Sequence, residues 1–173
     1  MDKNKLKNIK AVVFDADGVL FTGSVFMNQE GEAMKERSHI DGHGISLLRQ
    51  NGIKVCFITA EKSAFLQKVA DKWNNGKLEK VDIFMDKEGK DKVKTASLWL
   101  KEKNISWQNC AAMGDDLTDY HLLKESAFAV APAQAEQEIK KIADFITPRT
   151  GGNGAIRDFC NLILEAKGIN PIN

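Results

Sequence analysis

Short apolar runs rich in β-branched and aromatic residues alternate along this chain with stretches of helical spacing, and that alternation restricts its possible folds more than any other feature. The runs are Ala11 to Phe14, Lys54 to Ile58, Val81 to Phe84, Cys110 to Met113, Phe128 to Val130 and Phe145 to Ile146. Their length and composition read as strands. Residues 43–50, 62–73, 90–103, 116–125, 135–142 and 153–167 read as helices, the last with Ile156, Phe159, Cys160 and Ile163 at i, i+3, i+4 and i+7. The β-α-β-α rhythm predicts an α/β fold: a doubly wound, Rossmann-like, mainly parallel sheet with helices on both faces. In such folds the sites lie beyond the carboxyl ends of the strands.

One interval breaks the rhythm. Between Gly18 and Ser38 lie the apolar runs Val19 to Phe21 and Val25 to Met27, then Asn28-Gln29-Glu30-Gly31 and a charged stretch. This predicts a β-hairpin flap over about residues 18–38, placed to overhang a site at the end of the first strand. No repeat, linker or low-complexity segment marks a second unit, so residues 1–173 read as a single domain without a separate cap domain.

Composition narrows the function classes. The chain has 173 residues, of which 43% are hydrophobic, enough for one domain with a real core. Its 25 basic and 24 acidic residues leave a formal charge of +1 without charge blocks, which argues against nucleic-acid and polybasic membrane partners and for a small-molecule substrate. The lysine-rich start is followed by an apolar run broken at once by Asp15 and Asp17, so it does not read as a secretion signal. No stretch approaches the roughly 20 apolar residues of a membrane-spanning helix. Cys56, Cys110 and Cys160 are far apart in apolar surroundings and read as buried thiols of a reducing, cytoplasmic protein. His39 and His43 have a helical ligand spacing, but Gly42 and Gly44 argue against a regular helix there and so against a metal site.

The candidate chemistry sits at strand ends. Asp15 and Asp17 follow the first strand, with Gly18 free to turn the chain away. Residues two apart on a strand share a face, so both carboxylates can flank one substrate atom, although Asp and Gly are also ordinary turn residues. Gly114-Asp115-Asp116-Leu117-Thr118-Asp119 follows the fourth strand. One of these acids can be a mere helix cap, but carboxylates at two neighbouring strand ends can share Mg²⁺, which takes one or two carboxylates plus substrate phosphate and water. Thr59 ends the second strand, where its hydroxyl and the N–H groups of a helix start can meet phosphate oxygens. Lys92, or its neighbour Lys90, can bring positive charge to a phosphoryl group.

With these residues in order, the chain resembles the haloacid dehalogenase-like phosphatase superfamily from its first strand to its last helix. Asp15-Ala16-Asp17 matches the D-x-D motif, Thr59 the second-motif Ser/Thr, Lys92 the third-motif lysine, and Gly114 to Asp119 the G-D-D-x-x-D motif. The resemblance implies a Mg²⁺-dependent phosphatase. Asp15 is its nucleophile and a metal ligand, Asp17 its general acid and base and a ligand through the backbone carbonyl, and Asp115 the third ligand. Asp116 and Asp119 support, and Thr59, Ala60 and Lys92 hold phosphate. Burial and like charge are expected to raise the carboxyl pKa of Asp17 above that of Asp15.

Within the superfamily the chain resembles capless phosphatases of 3-deoxy-manno-octulosonate 8-phosphate and related 2-keto-3-deoxy sugar acids. Asp17-Gly18-Val19-Leu20, Thr22-Gly23, Gly31-Glu32 with Lys35, Asp41-Gly42-His43-Gly44-Ile45 and Gly151-Gly152-Asn153-Gly154-Ala155-Ile156-Arg157 carry that likeness. It implies a homotetramer in which one subunit's hairpin contributes to the next subunit's pocket. Arg149 and Arg157 are candidates for the substrate carboxylate, or for pairing with surface acids. Ala60-Glu61-Lys62 departs from the group's usual Gly-Arg-Lys. Glu61, with Lys72 further along, resembles the phosphatases of nine-carbon, sialic-acid-type keto-deoxy acid 9-phosphates, so eight-carbon and nine-carbon substrates both stay open. A non-catalytic phosphate- or Mg²⁺-binding regulatory module, like a response-regulator receiver, is the rival class. A receiver places its acceptor Asp after the third strand, where this chain has Met85-Asp86 in a charged loop.

Overall fold

The computed structural model describes residues 3–170. Six parallel strands, β1 (Ala11–Phe14), β4 (Lys54–Ile58), β5 (Val81–Phe84), β6 (Cys110–Met113), β7 (Phe128–Ala131) and β8 (Phe145–Ile146), form one sheet in the order β5-β4-β1-β6-β7-β8. The chain winds outward from β1 through β4 to β5, then returns to β1's other side and winds outward again. The direction of winding therefore reverses at β1, and the crevice beyond its carboxyl end is the switch point where doubly wound sheets place their ligands. Helices α1 (Lys3–Lys7), α2 (His39–Gln50), α3 (Ala64–Asn74), α4 (Lys87–Lys90), α5 (Lys92–Glu102), α6 (Tyr120–Glu125), α7 (Gln137–Ile142) and α8 (Ala155–Ala166) complete the layers.

Alternation along the strands divides the core in two. Val12, Phe14, Val55, Phe57 and Met113 pack with Ile45, Leu48, Leu66, Ile156 and Phe159 from α2, α3 and α8. Val13, Cys56, Ile58 and Ala112 pack with Ala96, Trp99, Leu122 and Ile139 from α5, α6 and α7. Both faces of the central strands are dry, which is why β1, β4 and β6 read as apolar runs.

The hairpin stands apart from this sheet. Strands β2 (Val25–Asn28) and β3 (Gly31–Lys35) pair only with each other. Val19, Leu20 and Phe21 belong instead to a buried turn, in which Leu20 and Phe21 N–H both donate to the Ala16 carbonyl.

Two local expectations are corrected. The helix expected from residue 43 starts at His39, capped by the Ser38 hydroxyl, and runs regularly through Gly42 and Gly44. Two helical glycines cost about 1 kcal/mol each against alanine. Tertiary packing outweighs that cost: a Cβ at Gly42 would lie 3.2 Å from the Trp73 indole nitrogen, and one at Gly44 3.1 Å from the Cys160 sulfur. The bare helix surface lets α3 and α8 approach. The short helix α1 had no sequence signal of its own; it is held by burial of Leu6 and Ile9 in the core cluster that contains the α8 side chains.

Candidate active site

Strand register builds the site. Phe14 lies level with Phe57 on β4 and Met113 on β6, so Asp15, Thr59 and Gly114-Asp115 emerge together just beyond the sheet. Asp15 N–H still donates to the Met113 carbonyl at 3.0 Å, which fixes its Cα at the end of the ladder. The strand stops at Phe14, however, and Asp17 reaches the cleft from the following turn rather than by alternation on the strand. Gly18 makes that turn possible. Its φ is +74°, and a Cβ there would fall 1.9 Å from an Asp115 carboxylate oxygen.

A cavity of about 330 Å³ opens over these ends, lined by Asp15, Asp17, Gly18, Gly23, Thr59, Ala60, Glu61, Lys92, Asp115, Asp116 and Thr118. Lys92, the first residue of α5, is buried, with its ammonium 2.8 Å from Asp15 Oδ1 and 2.6 Å from Asp119 Oδ1. The contact to Asp119 is an aligned hydrogen bond, whereas Asp15 Oδ1 has the charge beside it but no aligned donor. Lys90 is exposed on the short helix α4, so the choice between the two lysines falls on Lys92 by position.

The acids after β6 divide their tasks. Asp119 is fully buried and its second oxygen accepts the N–H groups of Asp115 and Asp116 at 3.0 and 3.3 Å. Asp116 is exposed and caps the 3₁₀ turn over 117–119 by accepting from Leu117 N–H. Asp115 is left facing the cavity.

Carboxylate oxygens of Asp15, Asp115 and Asp119 lie within 4.8 Å of one another. Burial, then the charge of Asp119, pushes the Asp15 carboxyl up to about 8 against the pull of Lys92. Burial and the charges of Asp119 and Asp116 push Asp115 up to about 7. Crowded, half-desolvated carboxylates are what a hard divalent cation relieves, and an all-oxygen donor set suits Mg²⁺. Asp119 already spends both oxygens on Lys92 and two amides, so Asp15 and Asp115 are the groups free to take the ion.

Burial was expected to act on Asp17. It acts on Asp15, which is 7% exposed; Asp17 Oδ1 accepts from Lys35 Nζ at 2.8 Å. Thr59 also differs in detail. Its N–H donates to the Phe84 carbonyl, its hydroxyl accepts from Glu61 N–H, and α3 begins only at Ala64, so no helix start lies at Thr59 itself.

The specificity candidates scatter. Glu61 is exposed on the cavity rim. Lys72 lines a separate surface depression with Asp71, Asn74, Asn75 and Lys80. Arg149 is held by Asp158 through Nε at 3.0 Å and a terminal nitrogen at 2.6 Å, and Arg157 meets Asn161 and His43. Neither arginine lines the cavity of its own chain. Two supports were given no site role by the sequence. Gln134 bridges the Gly18 carbonyl and Gly151 N–H, tying the Gly151–Gly154 loop to the catalytic turn, and nothing in the sequence marks this loop residue. Lys35 has a signal, a lysine closing the hairpin strand nearest the acids.

A family model of haloacid dehalogenase-like hydrolases matches residues 1–158. The chain belongs to that family. The 3-deoxy-D-manno-octulosonate 8-phosphate phosphatases of Salmonella typhi and Escherichia coli K12 are each 32% identical to it, covering 95% of this chain and 84% of theirs. The crystal structure of the Moraxella catarrhalis phosphatase of the same name, in complex with a magnesium ion, a phosphate ion and the octulosonate sugar, is 32% identical with a TM-score of 0.87, covering 96% of this haloacid dehalogenase-like chain and 91% of its own. The Yersinia pestis enzyme is 28% identical with a TM-score of 0.88, covering 96% and 86%. The family is one of hydrolases, which sets the receiver-like alternative aside. Among the described residues of this member, no helix is long and apolar enough to cross a membrane.

Proposed function

We propose that this hydrolase is a Mg²⁺-dependent phosphatase of a 2-keto-3-deoxy sugar acid phosphate, 3-deoxy-D-manno-octulosonate 8-phosphate in particular. The observation that carries this reading is the pairing of two unlike acids in one cavity: Asp15, buried with a lysine at its side, and Asp17, on a turn beside it. The relatives' substrate supports the choice of sugar.

Asp15, ionised, attacks phosphorus. The bond from Asp15 to phosphorus forms as the bond to the sugar oxygen breaks, and Asp17 gives that oxygen a proton. Water then attacks the aspartyl-phosphate, Asp17 takes the water's proton, and inorganic phosphate leaves with Asp15 regenerated. Lys92 neutralises charge on the phosphoryl oxygens, and Thr59 and Ala60 orient them; in phosphoryl transfer such positioning and charge do most of the work. Asp15 and Asp115, with the Asp17 backbone carbonyl, would hold Mg²⁺, which when bound offsets the negative charge of the acids and the phosphate. Asp119 holds Lys92 and the Asp115 amide from behind, and Asp116 shapes the loop.

Glu61 on the rim favours a second reading, a nine-carbon 9-phosphate, since a carboxylate there can accept from an extra sugar hydroxyl. The exposed hairpin tip supports a tetramer in which a neighbour closes the pocket and supplies the carboxylate-binding side chain that Arg149 and Arg157 do not bring to their own cavity. A kinetic panel with Mg²⁺ tests the substrate. kcat/KM for octulosonate 8-phosphate should exceed that for hexose 6-phosphates by at least about tenfold, roughly 1.4 kcal/mol of transition-state discrimination. Preference for the nonulosonate 9-phosphate would replace the eight-carbon assignment, and no preference among sugars would end the sugar-acid reading.

A further inference from the structure

The catalytic turn and the hairpin are joined by one buried contact that the mechanism above does not use. Lys35 ends β3, yet its side chain is 2% exposed: it crosses the face of the Phe21 ring, 5.9 Å from the centroid, and donates to Asp17 Oδ1 at 2.8 Å. Glu32 Oε2 is its other partner, at 3.3 Å. The second Asp17 oxygen, Oδ2, is buried with no hydrogen-bond partner among the described residues. The two oxygens of one carboxylate are thus inequivalent. One is held by the hairpin, and the other is sealed from solvent without a donor.

We infer that Lys35 is a positioning residue for Asp17: by engaging Oδ1 from a packed position it fixes the orientation of the carboxyl that lines the cavity, and the hairpin thereby sets the aim of the general acid. The inference rests on the assignment of Asp17 as the proton donor. A carboxyl with both oxygens unrestrained can rotate about χ2, a broad torsion, and spends only part of its time in the productive orientation. A hydrogen bond from a side chain that is itself packed against an aromatic ring removes that freedom, and a misplacement of about 1 Å in such a group costs on the order of a hundredfold. The hairpin has a second tie at the same place, Thr22 N–H to the Glu36 carbonyl at 3.1 Å, so the end of β3 is anchored next to the turn it orients.

A leaving-group comparison separates positioning from structure. Lys35→Met, Lys35→Gln and Lys35→Arg are assayed with Mg²⁺ on p-nitrophenyl phosphate, whose phenolate departs without an acid, and on the sugar phosphate that turns over fastest in the panel above. The measure is kcat/KM, which reports the first phosphoryl transfer. For Lys35→Met and Lys35→Gln it should fall about 30- to 100-fold on the sugar phosphate and less than about threefold on the aryl phosphate, since only the former needs general acid help. Lys35→Arg, which can still donate to Oδ1, should recover most of the loss. Both rates come from the same preparation, so any unfolded fraction cancels from their ratio. In an Asp17→Asn background Lys35→Met should add almost nothing on the sugar phosphate. Equal losses on both substrates, or additive losses with Asp17→Asn, would overturn the inference. So would a matching loss in affinity for the dephosphorylated sugar, which would make Lys35 a substrate contact. Failure of the unaltered protein to hydrolyse either phosphate would instead overturn the proposed function itself.

Discussion

Asp15, Thr59, Lys92 and Asp119 sit at the strand ends with 7% exposure or less, whereas a short way along the chain the hairpin presents Phe26, Met27 and Met34 at 59%, 66% and 59%. The first region is set by the core: a parallel ladder fixes each Cα, and a lysine and two amides fix the acids. The second has one antiparallel pairing and no core of its own. The contrast separates two tasks. Under the proposed function, chemistry common to all phosphomonoesters is preorganised at the strand ends, and the cover that would fit one sugar is left to a segment that reaches outward.

If the cradle is preorganised, removing its nucleophile should abolish turnover without loosening the fold. Asp15→Asn is expected to lower kcat by at least about 10⁴-fold on every phosphate tried. Its melting temperature without metal at pH 8 should equal or exceed that of the parent protein, since a buried, desolvated carboxyl is replaced by a neutral amide. Near-normal turnover would remove Asp15 from its role, and a large drop in melting temperature would show that the acid is structural.

How far this contrast could be read in advance depended on where the deciding force lay. Asp15 and Asp115 were legible because each ends an apolar run, and a strand that buries both faces must release its polar residues at its end. The sheet and most helices were legible for the same reason. Lys92 against Lys90 was not, because both flank Asp91 in a charged stretch and only the packing of α5 makes one of them buried. Gly42 and Gly44 misled because the local penalty is real, while the closeness of Trp73 and Cys160 that overrides it is tertiary. Arg149, open in the sequence between a substrate carboxylate and an acid of the chain, pairs with Asp158, nine residues on, a partner that spacing alone does not single out.

Removing the metal should reveal the strain in the cradle as a pH dependence. The folded-state pKa values of Asp15 and Asp115, about 8 and about 7, lie above the ordinary 3.8. A raised carboxyl binds its proton more tightly when folded, so its contribution to stability is complete below about pH 4 and is lost as pH rises through 7 to 8. Metal-free protein should therefore be less stable at pH 8.5 than at pH 5, by about 2 kcal/mol or more in urea titrations. Mg²⁺ should remove most of that slope, stabilising much more at pH 8.5 than at pH 5. Equal stabilisation at both pH values would mean that the ion binds elsewhere.

The hairpin should respond in the opposite way. Replacing Phe26, Met27 and Met34 together by serine removes an exposed apolar patch that the core does not need, so the melting temperature of an isolated subunit should stay within a few degrees. The proposed tetramer should fall to a monomer by mass, and kcat/KM on the sugar acid phosphate should drop about tenfold while the aryl phosphate is spared. A parent protein of monomer mass would end the tetramer proposal, and a variant that keeps a tetramer's mass would take this patch out of the subunit contacts.

The smallest effect is expected at Glu61, on the rim of the cavity that carries the proposed phosphate cradle. Glu61 touches the cradle only through its backbone, whose N–H donates to the Thr59 hydroxyl, so its side chain can change without moving the phosphate site. Glu61→Gln keeps shape and hydrogen-bonding capacity but removes the charge. An eight-carbon substrate has no extra hydroxyl to give Glu61, so the charge of Glu61 only opposes that of the anionic substrate, and the variant should gain about two- to fivefold in kcat/KM. For a nine-carbon substrate whose extra hydroxyl donates to Glu61, the same variant should lose about as much, because a hydrogen bond to a charged acceptor is the stronger one. The sign of this small change therefore reports which sugar the rim is built for.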